Sequence, residues 1–131
     1  SRTVLVLTGD GEMLMGIGSL ATIAHQAPAN LAIVVQDNEH YGETGMQQTA
    51  THHGTDLVVM AEGAGIKNTM RVNTAEQVPA LVAATRAGKG PLFAVAKVDA
   101  ANLPLVLPPR EGAILQARMR EQLLGPAAHL A

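Results

Sequence analysis

Two short runs of apolar, largely β-branched residues constrain the fold of this chain more than any other feature, and they cover residues 3–8 and 31–36. Continuous apolar runs of this length are typical of parallel strands that are buried on both faces. Between them lie a glycine turn and a helical pattern over about residues 12–26, which Pro28 ends. The chain therefore opens with a strand, a helix and a second strand, and the right-handed crossover rule predicts that the two strands are parallel neighbours.

The middle of the chain continues this alternation. Residues 37–54 form a polar, glycine-containing loop, which is long for a plain connection and typical of loops that carry function. We expect a helix that is capped by Thr55 or Asp56 and ends near residue 64, and then a strand over 67–73.

The last third predicts a helix over 74–87, a strand over 92–99, an extended linker over 102–109 and an amphipathic helix over 110–124. Pro79 falls near the start of the first of these helices, so we expect a kink or a delayed start there. Strands that alternate with helices favour an α/β fold, here a three-layer, open and mostly parallel sheet with helices on both faces.

The length of the chain favours one domain. With 131 residues, of which 47% are hydrophobic, it can bury one compact core. We assign residues 1–107 to the core of a ligand-binding domain and 108–131 to a C-terminal linker and helix. Ser1 and Arg2 lead straight into the first strand, and we expect that the N-terminal part of the domain is missing; a cleaved tag or a further upstream segment would give the same start.

Charge and composition argue against several classes of function. The net charge of −2 comes without a basic stripe, so nucleic acid and anionic membranes are poor partners. Cysteine is absent, which excludes disulfides and thiolate metal ligands. No apolar run reaches the roughly 20 residues of a membrane span. We expect a cytoplasmic protein whose partner is a small molecule or another protein.

Polar residues follow the first two predicted strands at the point where each strand ends. Asp10 follows the first strand and Asn38 the second, 28 positions later, a spacing that one helix and two turns occupy. Ligands of open parallel sheets bind at the carboxyl ends of the strands, so both side chains can converge on one site. Carboxylate and amide oxygens suit Mg²⁺ or Ca²⁺ better than zinc, and the backbone carbonyl of His40 can complete the set.

The glycines on either side of Asp10 indicate an anion beside the metal. Gly9 and Gly11 lack Cβ atoms, so a phosphate can approach the backbone at the start of the following helix, where free N–H groups and the helix dipole favour an anion. A metal on Asp10 and Asn38 would bridge two phosphate oxygens. The site therefore predicts a diphosphate together with Mg²⁺.

Gly9-Asp10-Gly11 followed by Asn38 resembles the signature of the thiamine-diphosphate enzymes, and the resemblance extends over about residues 3–99. The order of the segments is similar to that of their C-terminal, diphosphate-binding domain. The resemblance implies their α/β fold, with residues 1–107 as the core that binds thiamine diphosphate and Mg²⁺.

Two segments narrow the resemblance within that superfamily. Residues 37–49 and the helix at 16–24 are similar to the phosphonopyruvate and sulfopyruvate decarboxylases. Two positions depart from them, namely Glu43, where serine is usual, and Met46, where glycine or asparagine is usual. These departures leave the exact substrate open, whereas the cofactor is unaffected.

The resemblance implies a role for each residue at the two strand ends. Asp10 and the Asn38 side chain ligate magnesium together with the His40 carbonyl, while Gly11 and Glu12 contact the diphosphate. The candidate cofactor-binding residues are Gly9, Asp10, Gly11, Glu12, Met13, Asn38, His40 and Tyr41. Because a carboxylate repels a diphosphate, we expect the Glu12 side chain to point away while its N–H contributes.

The implied activity is the decarboxylation of a 2-oxo acid, in which thiamine diphosphate acts as the electron sink. No catalytic residue is assigned in this chain, because the activating glutamate is expected on a separate pyrimidine-binding domain, either fused or on another chain. We therefore expect a homo- or hetero-oligomer that is active only with that partner.

Other interpretations stay open. Carboligation or acyl transfer would use the same anchor, and a non-catalytic assembly subunit would keep it as a vestige. A nucleotide-binding α/β domain is disfavoured, because neither a Gly-x-Gly-x-x-Gly motif nor a Walker lysine is present. Met13 also fits a core residue, and Tyr41 fits packing beneath the loop. His52 and His53 fit surface residues better than groups that bind carboxylate or relay protons.

Overall fold

A computed structural model describes residues 2–101, 104 and 106–129 of the chain. The chain divides into two compact units, residues 1–101 and 102–131. The first unit is built on a four-stranded sheet of β1 (Val4–Gly9), β2 (Leu31–Asp37), β6 (Leu92–Lys97) and β5 (Asn68–Val72), in that order, with every pair parallel. The predicted parallel pairing of the first two strands is confirmed.

The described helices and the remaining strands lie in the connections between these strands, except α5, which follows β6. They are α1 (Asp10–Met15), α2 (Ser19–Gln26), β3 (His40–Tyr41), β4 (Gln47–Gln48), α3 (Leu57–Gly63), α4 (Val78–Arg86) and α5 (Gly112–Leu124). Short 3₁₀ turns lie at Ala50–His53, Ala75–Gln77 and Gly125–His129. The segment predicted as a plain loop between β2 and α3 therefore holds a two-stranded antiparallel hairpin and a 3₁₀ turn.

The hydrophobic core lies on both faces of the sheet. One cluster packs α1, α2 and α3 against alternate residues of β2 and β6, including Val35 and Phe93, which are both 0% exposed. The other packs Leu81 of α4 against the opposite residues, such as Val34 and Ala94. Each fully buried side chain of this size contributes about 1.5–3 kcal/mol. The predicted three-layer α/β fold is confirmed.

The first strand differs from its prediction. β1 was expected to be buried on both faces, but its apolar side chains are 40–61% exposed from Val4 to Leu7. The reason is its position, because β1 lies at the edge of the sheet and pairs only with β2. An apolar run alone cannot distinguish an edge strand from a central one.

The first helix also differs from its prediction. The single helix expected over residues 12–26 is two helices, α1 and α2, separated by a turn at residues 16–18. Gly16 adopts φ −105° and ψ 18°, outside the helical region, and ends α1. Glycine costs roughly 1 kcal/mol in a helix interior relative to alanine, and two glycines within three residues make a break favourable.

The middle helices begin where the sequence predicts. Asp56 caps α3, because its Oδ1 accepts hydrogen bonds from the N–H groups of Val58 and Val59, at 2.9 and 3.1 Å. The helix after Thr74 has a delayed start: a 3₁₀ turn comes first, and α4 then begins with Pro79 in its first turn. Pro79 is tolerated there, since the first N–H groups of a helix have no intrahelical partner.

The second unit contains α5 and the 3₁₀ turn after it. The prediction that this helix is amphipathic is wrong, because its apolar side chains are spread around it and all of its residues are exposed. The division of the chain at residue 107 stays a prediction. Among the helices that the structure describes, none combines the length and the apolar character that a membrane span requires.

Candidate functional site

The strand register places two aspartates side by side at the carboxyl edge of the sheet. Gly9 pairs with Gln36, so Asp10 and Asp37 follow the same row on neighbouring strands. Both carboxylates are buried, with Asp10 1% and Asp37 3% exposed. The sequence predicted that the ends of β1 and β2 would meet, and the structure brings them together.

The Asp10 carboxylate is held by hydroxyl groups. Its Oδ2 accepts hydrogen bonds from Oγ1 of Thr49 at 2.5 Å and from Oγ1 of Thr51 at 2.9 Å. Both hydroxyls bond to Oδ2, and Oδ1 takes no part in these contacts. No lysine, arginine or histidine among the described residues forms an ion pair with Asp10. A buried carboxylate is costly without a positive partner, so this donor set fits a cation.

The Asp37 carboxylate, by contrast, is balanced within the chain. Its Oδ2 lies 2.8 Å from the Nζ of Lys97, which stands directly opposite on β6. Its Oδ1 lies 2.8 Å from Oγ1 of Thr51 and accepts a hydrogen bond from the N–H of Glu39 at 3.1 Å. Asp37 therefore has both a counter-charge and hydrogen-bond donors.

Asn38 and His40 form the turn that follows β2. The side-chain Oδ1 of Asn38 accepts a hydrogen bond from the N–H of His40 at 2.9 Å, and the His40 ring meets the Asn38 carbonyl at 2.9 Å. An amide oxygen has two lone pairs, so Oδ1 keeps one for a further partner. Glu39 lies between them with φ 63°, a left-handed conformation that non-glycine residues rarely adopt.

The metal that this edge fits would need ligands from outside the chain. No group of three or more histidine, aspartate or glutamate side chains within the described residues can hold a metal ion by itself. Mg²⁺ in proteins is commonly held by one or two carboxylates together with phosphate oxygens and water. The chemistry of Asp10 and Asn38 therefore fits Mg²⁺ that arrives with a phosphate group.

At the start of α1, the ring of Tyr41 closely approaches the backbone of Gly11. Gly11 is buried, and a Cβ built on it would overlap the ring of Tyr41. The Tyr41 ring therefore packs over this glycine, as expected if it lies beneath the loop. Met13 is 7% exposed and belongs to the core cluster. A contact of Tyr41 or Met13 with the cofactor stays a prediction.

Glu12 bends back onto the strand. Its Oε2 accepts hydrogen bonds from the N–H of Gly9 at 3.2 Å and from the hydroxyl of Thr8 at 3.0 Å. These two bonds, that of Gly9 first, lower the pKa of the Glu12 carboxyl. The expectation that this carboxylate points away from a diphosphate while its N–H contributes stays a prediction.

A chain of charged groups extends from Asp37 to the histidines. Lys97 also bonds Oε1 of Glu39 at 2.5 Å, and Oε2 of Glu39 lies 3.1 Å from Nδ1 of His52. The hydrogen bond from Lys97 and its charge lower the pKa of Glu39. Partial burial works to lower the pKa of Lys97, but its two carboxylate partners outweigh this and raise it.

Next to these charged groups, the rings of His40, His52 and His53 pack edge to face. The ring centroid of His52 lies 5.6 Å from that of His40 and 5.2 Å from that of His53. His52 and His53 are exposed. Their exposed position agrees with the interpretation of His52 and His53 as surface residues rather than as groups that bind carboxylate or relay protons.

Sequence reasoning missed four residues of this edge, namely Asp37, Thr49, Thr51 and Lys97. Asp37 carried a signal, since it directly follows a buried strand. The threonines carried none, because two hydroxyl residues in a loop do not reveal where they point. Lys97 required knowledge that β6 lies beside β2, which the order of elements along the chain does not give.

Comparison with known proteins gives a family match. The model of the thiamine pyrophosphate enzyme C-terminal TPP binding domain matches residues 1–96. The chain is 44% identical over 77 residues to a sulfopyruvate decarboxylase of Methanosarcina acetivorans, which covers 59% of this chain and 20% of that protein. It is 46% identical over 63 residues to a sulfopyruvate decarboxylase subunit beta of Methanocaldococcus jannaschii, covering 48% and 34%.

More distant matches agree. A phosphonopyruvate decarboxylase of Streptomyces hygroscopicus is 36% identical over 90 residues, covering 69% of this chain and 22% of that protein. The chain thus spans between 20% and 34% of the length of these three relatives. A transketolase structure from Campylobacter jejuni shares the fold, with a TM-score of 0.56 and 19% identity over 74% of this chain and 15% of that one.

Proposed function

The chain belongs to the thiamine pyrophosphate enzymes, of which it carries the C-terminal cofactor-binding domain, and on this basis we propose that it anchors thiamine diphosphate through Mg²⁺ in a 2-oxo acid decarboxylase. The observation that carries the proposal is the buried Asp10 carboxylate, which has hydroxyl donors and no cation of the chain among the described residues. A divalent ion at Oδ1 would supply the missing positive charge.

Each residue at the edge has a role in this proposal. Asp10 and the free lone pair of Asn38 bind Mg²⁺, and the carbonyl of His40 joins them. Gly9 leaves the backbone open to the diphosphate, because no atom lies within 4 Å of the position that a Cβ would take. At Gly11 the ring of Tyr41 fills that space, so we infer that Gly11 contributes through its N–H.

The bound cofactor supplies an electron sink for the loss of CO₂ from a 2-oxo acid. The residues of this chain contribute through positioning: they fix the diphosphate at the carboxyl edge and so orient the rest of the molecule. Anchoring at a rigid edge is favourable, because both ligand-bearing residues follow hydrogen-bonded strands directly. The Glu12 carboxylate bonds Gly9 and Thr8 at the end of β1, so the N–H of Glu12 is the group that it can offer to the diphosphate.

The proposed enzyme needs a pyrimidine-binding domain. We infer that this domain supplies the activating glutamate and that it is either fused to this one or a separate subunit, as the "subunit beta" in the name of one relative suggests for that protein. The substrate is a small 2-oxo acid. Sulfopyruvate and phosphonopyruvate, which appear in the names of the relatives, are the first candidates.

Product analysis of the full-length protein, assembled with its pyrimidine-binding domain, tests this function. The protein is incubated with thiamine diphosphate, Mg²⁺ and each 2-oxo acid, alone and with an aldehyde acceptor, and the CO₂ and organic products are identified. Decarboxylation to the free aldehyde is expected. If a ligated product forms, and only with the acceptor, the activity is carboligation and not simple decarboxylation. Cofactor binding without turnover of any 2-oxo acid would contradict the proposed activity.

A further inference from the structure

We propose that Thr51 is a positioning residue, which sets the Asp10 carboxylate for the metal by tying it to Asp37. This inference depends on the proposed function, because it concerns how the anchor for Mg²⁺ is held. It adds a residue from the loop between β4 and α3 to the two strand ends that carry the ligands.

The geometry places Thr51 between the two strand ends. Its Oγ1 lies 2.9 Å from Oδ2 of Asp10 and 2.8 Å from Oδ1 of Asp37, and the residue is 6% exposed. Within the described part of the chain, the Thr51 hydroxyl contacts both carboxylates, whereas the Thr49 hydroxyl contacts only that of Asp10. A single hydroxyl thus lies between the carboxylates at the ends of β1 and β2.

Thr49 completes a cluster of four buried side chains. Its Oγ1 contacts Oδ2 of Asp10 and lies 2.9 Å from Oγ1 of Thr51. Each hydroxyl has one proton, so two protons serve three contacts between hydroxyl and carboxylate oxygens. When Thr49 donates to Asp10, the proton of Thr51 can reach only one of the two aspartates.

The proton count connects Thr51 with the metal. If Thr51 donates to Asp37, its lone pairs face Oδ2 of Asp10, and a cation at Oδ1 offsets that repulsion. If Thr51 donates to Asp10, both hydroxyls bind Oδ2, and Oδ1 is again the oxygen that remains for the metal. In either case the cluster directs Oδ1 to the ion. Groups that orient a metal ligand in this way typically alter metal affinity about 10–100-fold when they are replaced.

Three variants of the full-length protein separate the hydroxyl from the rest of the side chain. Thr51→Val keeps the shape and removes the hydroxyl, whereas Thr51→Ser keeps the hydroxyl and removes the methyl group. Thr85→Val is the matched control, because Thr85 is a half-buried threonine in α4 whose hydroxyl bonds only the Leu81 carbonyl. Each is titrated with Mg²⁺ at a fixed concentration of thiamine diphosphate, and binding heat is measured by calorimetry.

The Mg²⁺ concentration for half-maximal cofactor binding should rise about 10-fold or more in Thr51→Val. It should stay within about threefold of the wild-type value in Thr51→Ser and in the control. Thermal unfolding gives a second readout, since a ligand that binds only the folded state raises the midpoint. The increase caused by Mg²⁺ and cofactor together should be smaller in Thr51→Val than in Thr51→Ser.

An unchanged Mg²⁺ dependence of cofactor binding in Thr51→Val would overturn the proposal. A loss of Mg²⁺ affinity in Thr51→Ser as large as that in Thr51→Val would overturn it too, because the methyl group and not the hydroxyl would then determine the affinity. If Thr51→Val does not fold, Thr51→Ala compared with Thr51→Ser carries the same prediction. Wild-type protein that binds no cofactor with Mg²⁺ would overturn the proposed function itself. Normal wild-type binding with an unaffected Thr51→Val would overturn only the role of Thr51.

Discussion

The ends of β1 and β2 carry aspartates that are almost equally buried but differ in how their charge is met. Asp37 at the end of β2 has Lys97, a backbone N–H and a hydroxyl as partners. Asp10 at the end of β1 has two hydroxyls and no cation of the chain within the described residues. Burial alone does not distinguish the two carboxylates, whereas the missing counter-charge does, and it is the feature on which we propose Asp10 as the ligand.

The two strand ends therefore have different physical roles. An ionised carboxylate that leaves water loses several kcal/mol of solvation, which a nearby charge can return. At β2 the chain itself provides that charge, so Asp37 stabilises the fold. At β1 the described residues provide hydroxyl donors but no counter-charge, so we propose that a bound cation offsets this cost and that Asp10 couples the fold to the cofactor. Two substitutions test this distinction, and three more extend the comparison to other residues of the chain.

Asp10→Asn should have the largest effect. It keeps acceptors for Thr49 and Thr51 but removes the charge that holds Mg²⁺, so the affinity for thiamine diphosphate with Mg²⁺ should fall at least 100-fold, about 2.8 kcal/mol. Without cofactor, the midpoint of thermal unfolding should stay equal or rise, because a buried unpaired charge is gone. Calorimetry and circular dichroism measure the two quantities. Unchanged affinity, or loss of the fold, would remove the distinction between the two ends.

Lys97→Met should have the opposite pattern, with a larger effect on the stability of the fold than on cofactor affinity. Removing the cation leaves Asp37 buried without its charge partner, and the free energy of unfolding should fall by about 2 kcal/mol, less than for a fully buried pair because Lys97 is 42% exposed. Urea denaturation of the cofactor-free protein measures the change. Lys67→Met is the control, since Lys67 is exposed and forms no ion pair among the described residues. If the free energy of cofactor binding falls by more than the free energy of unfolding, Asp37 is a second carboxylate that holds the ligand.

Asp56→Ala extends the comparison to an exposed carboxylate. Asp56 caps α3 and pairs with Arg71 at 2.9 Å, and losing the cap should lower the free energy of unfolding by about 1 kcal/mol at neutral pH. The backbone hydrogen bond from Val59 is the largest cause that lowers the pKa of Asp56 below 3.8.

The pH dependence of this difference has a defined sign. A folded-state pKa below the unfolded one means that the stabilisation by Asp56 is present above the unfolded value and is lost as pH falls through the folded value. The difference between wild-type and Asp56→Ala should therefore be constant from neutral pH down to about pH 5 and shrink below pH 3.8. Denaturation at several pH values checks this, and a difference that grows in acid would contradict it.

Met46→Gly should have the smallest effect, and a stabilising one. Met46 has φ 62°, a left-handed conformation in which a side chain costs up to about 1–2 kcal/mol, so glycine should raise the free energy of unfolding by roughly 0.5 kcal/mol after the packing of the half-buried side chain is lost.

Glu39→Gly is the matched comparison for Met46→Gly. Glu39 has nearly the same φ, 63°, but its carboxylate bonds Lys97 and His52. Relief of the same strain should bring no net stabilisation there, because the ion pair next to the end of β2 is lost. Equal stabilisation by both glycines, measured by urea denaturation, would show that this ion pair contributes nothing to the fold.

The sequence predicted the parts of the site that depend on local pattern. Asp10 and Asn38 were found because one helix and two turns bring the ends of successive parallel strands to the same edge. The break at Gly16 was visible only as low helix propensity, which tertiary packing can override. The exposure of β1 depends on the order of strands across the sheet, and an apolar run contains no information on that order.

The sequence did not predict the partners of the two aspartates either, because these residues are brought together by the fold and not by a local pattern. Lys97 pairs with Asp37 across the register of β2 and β6, although the two residues are 60 positions apart, 37 to 97. Thr49 and Thr51 lie at a 3₁₀ turn, whose residues follow neither the helical nor the strand period. The ligands could thus be predicted from strand ends, whereas the residues that orient and balance them required the fold.

The Mg²⁺ dependence of thiamine diphosphate binding to the full-length protein tests the central claim most directly, because the claim is that Asp10 is left for a cation that carries the diphosphate. Calorimetric titrations with Mg²⁺ and with a chelator, and with thiamine monophosphate as the matched control, give the comparison. We predict binding of the diphosphate that requires the divalent ion, and much weaker binding of the monophosphate. Equal affinity for thiamine diphosphate with and without a divalent ion would contradict the account.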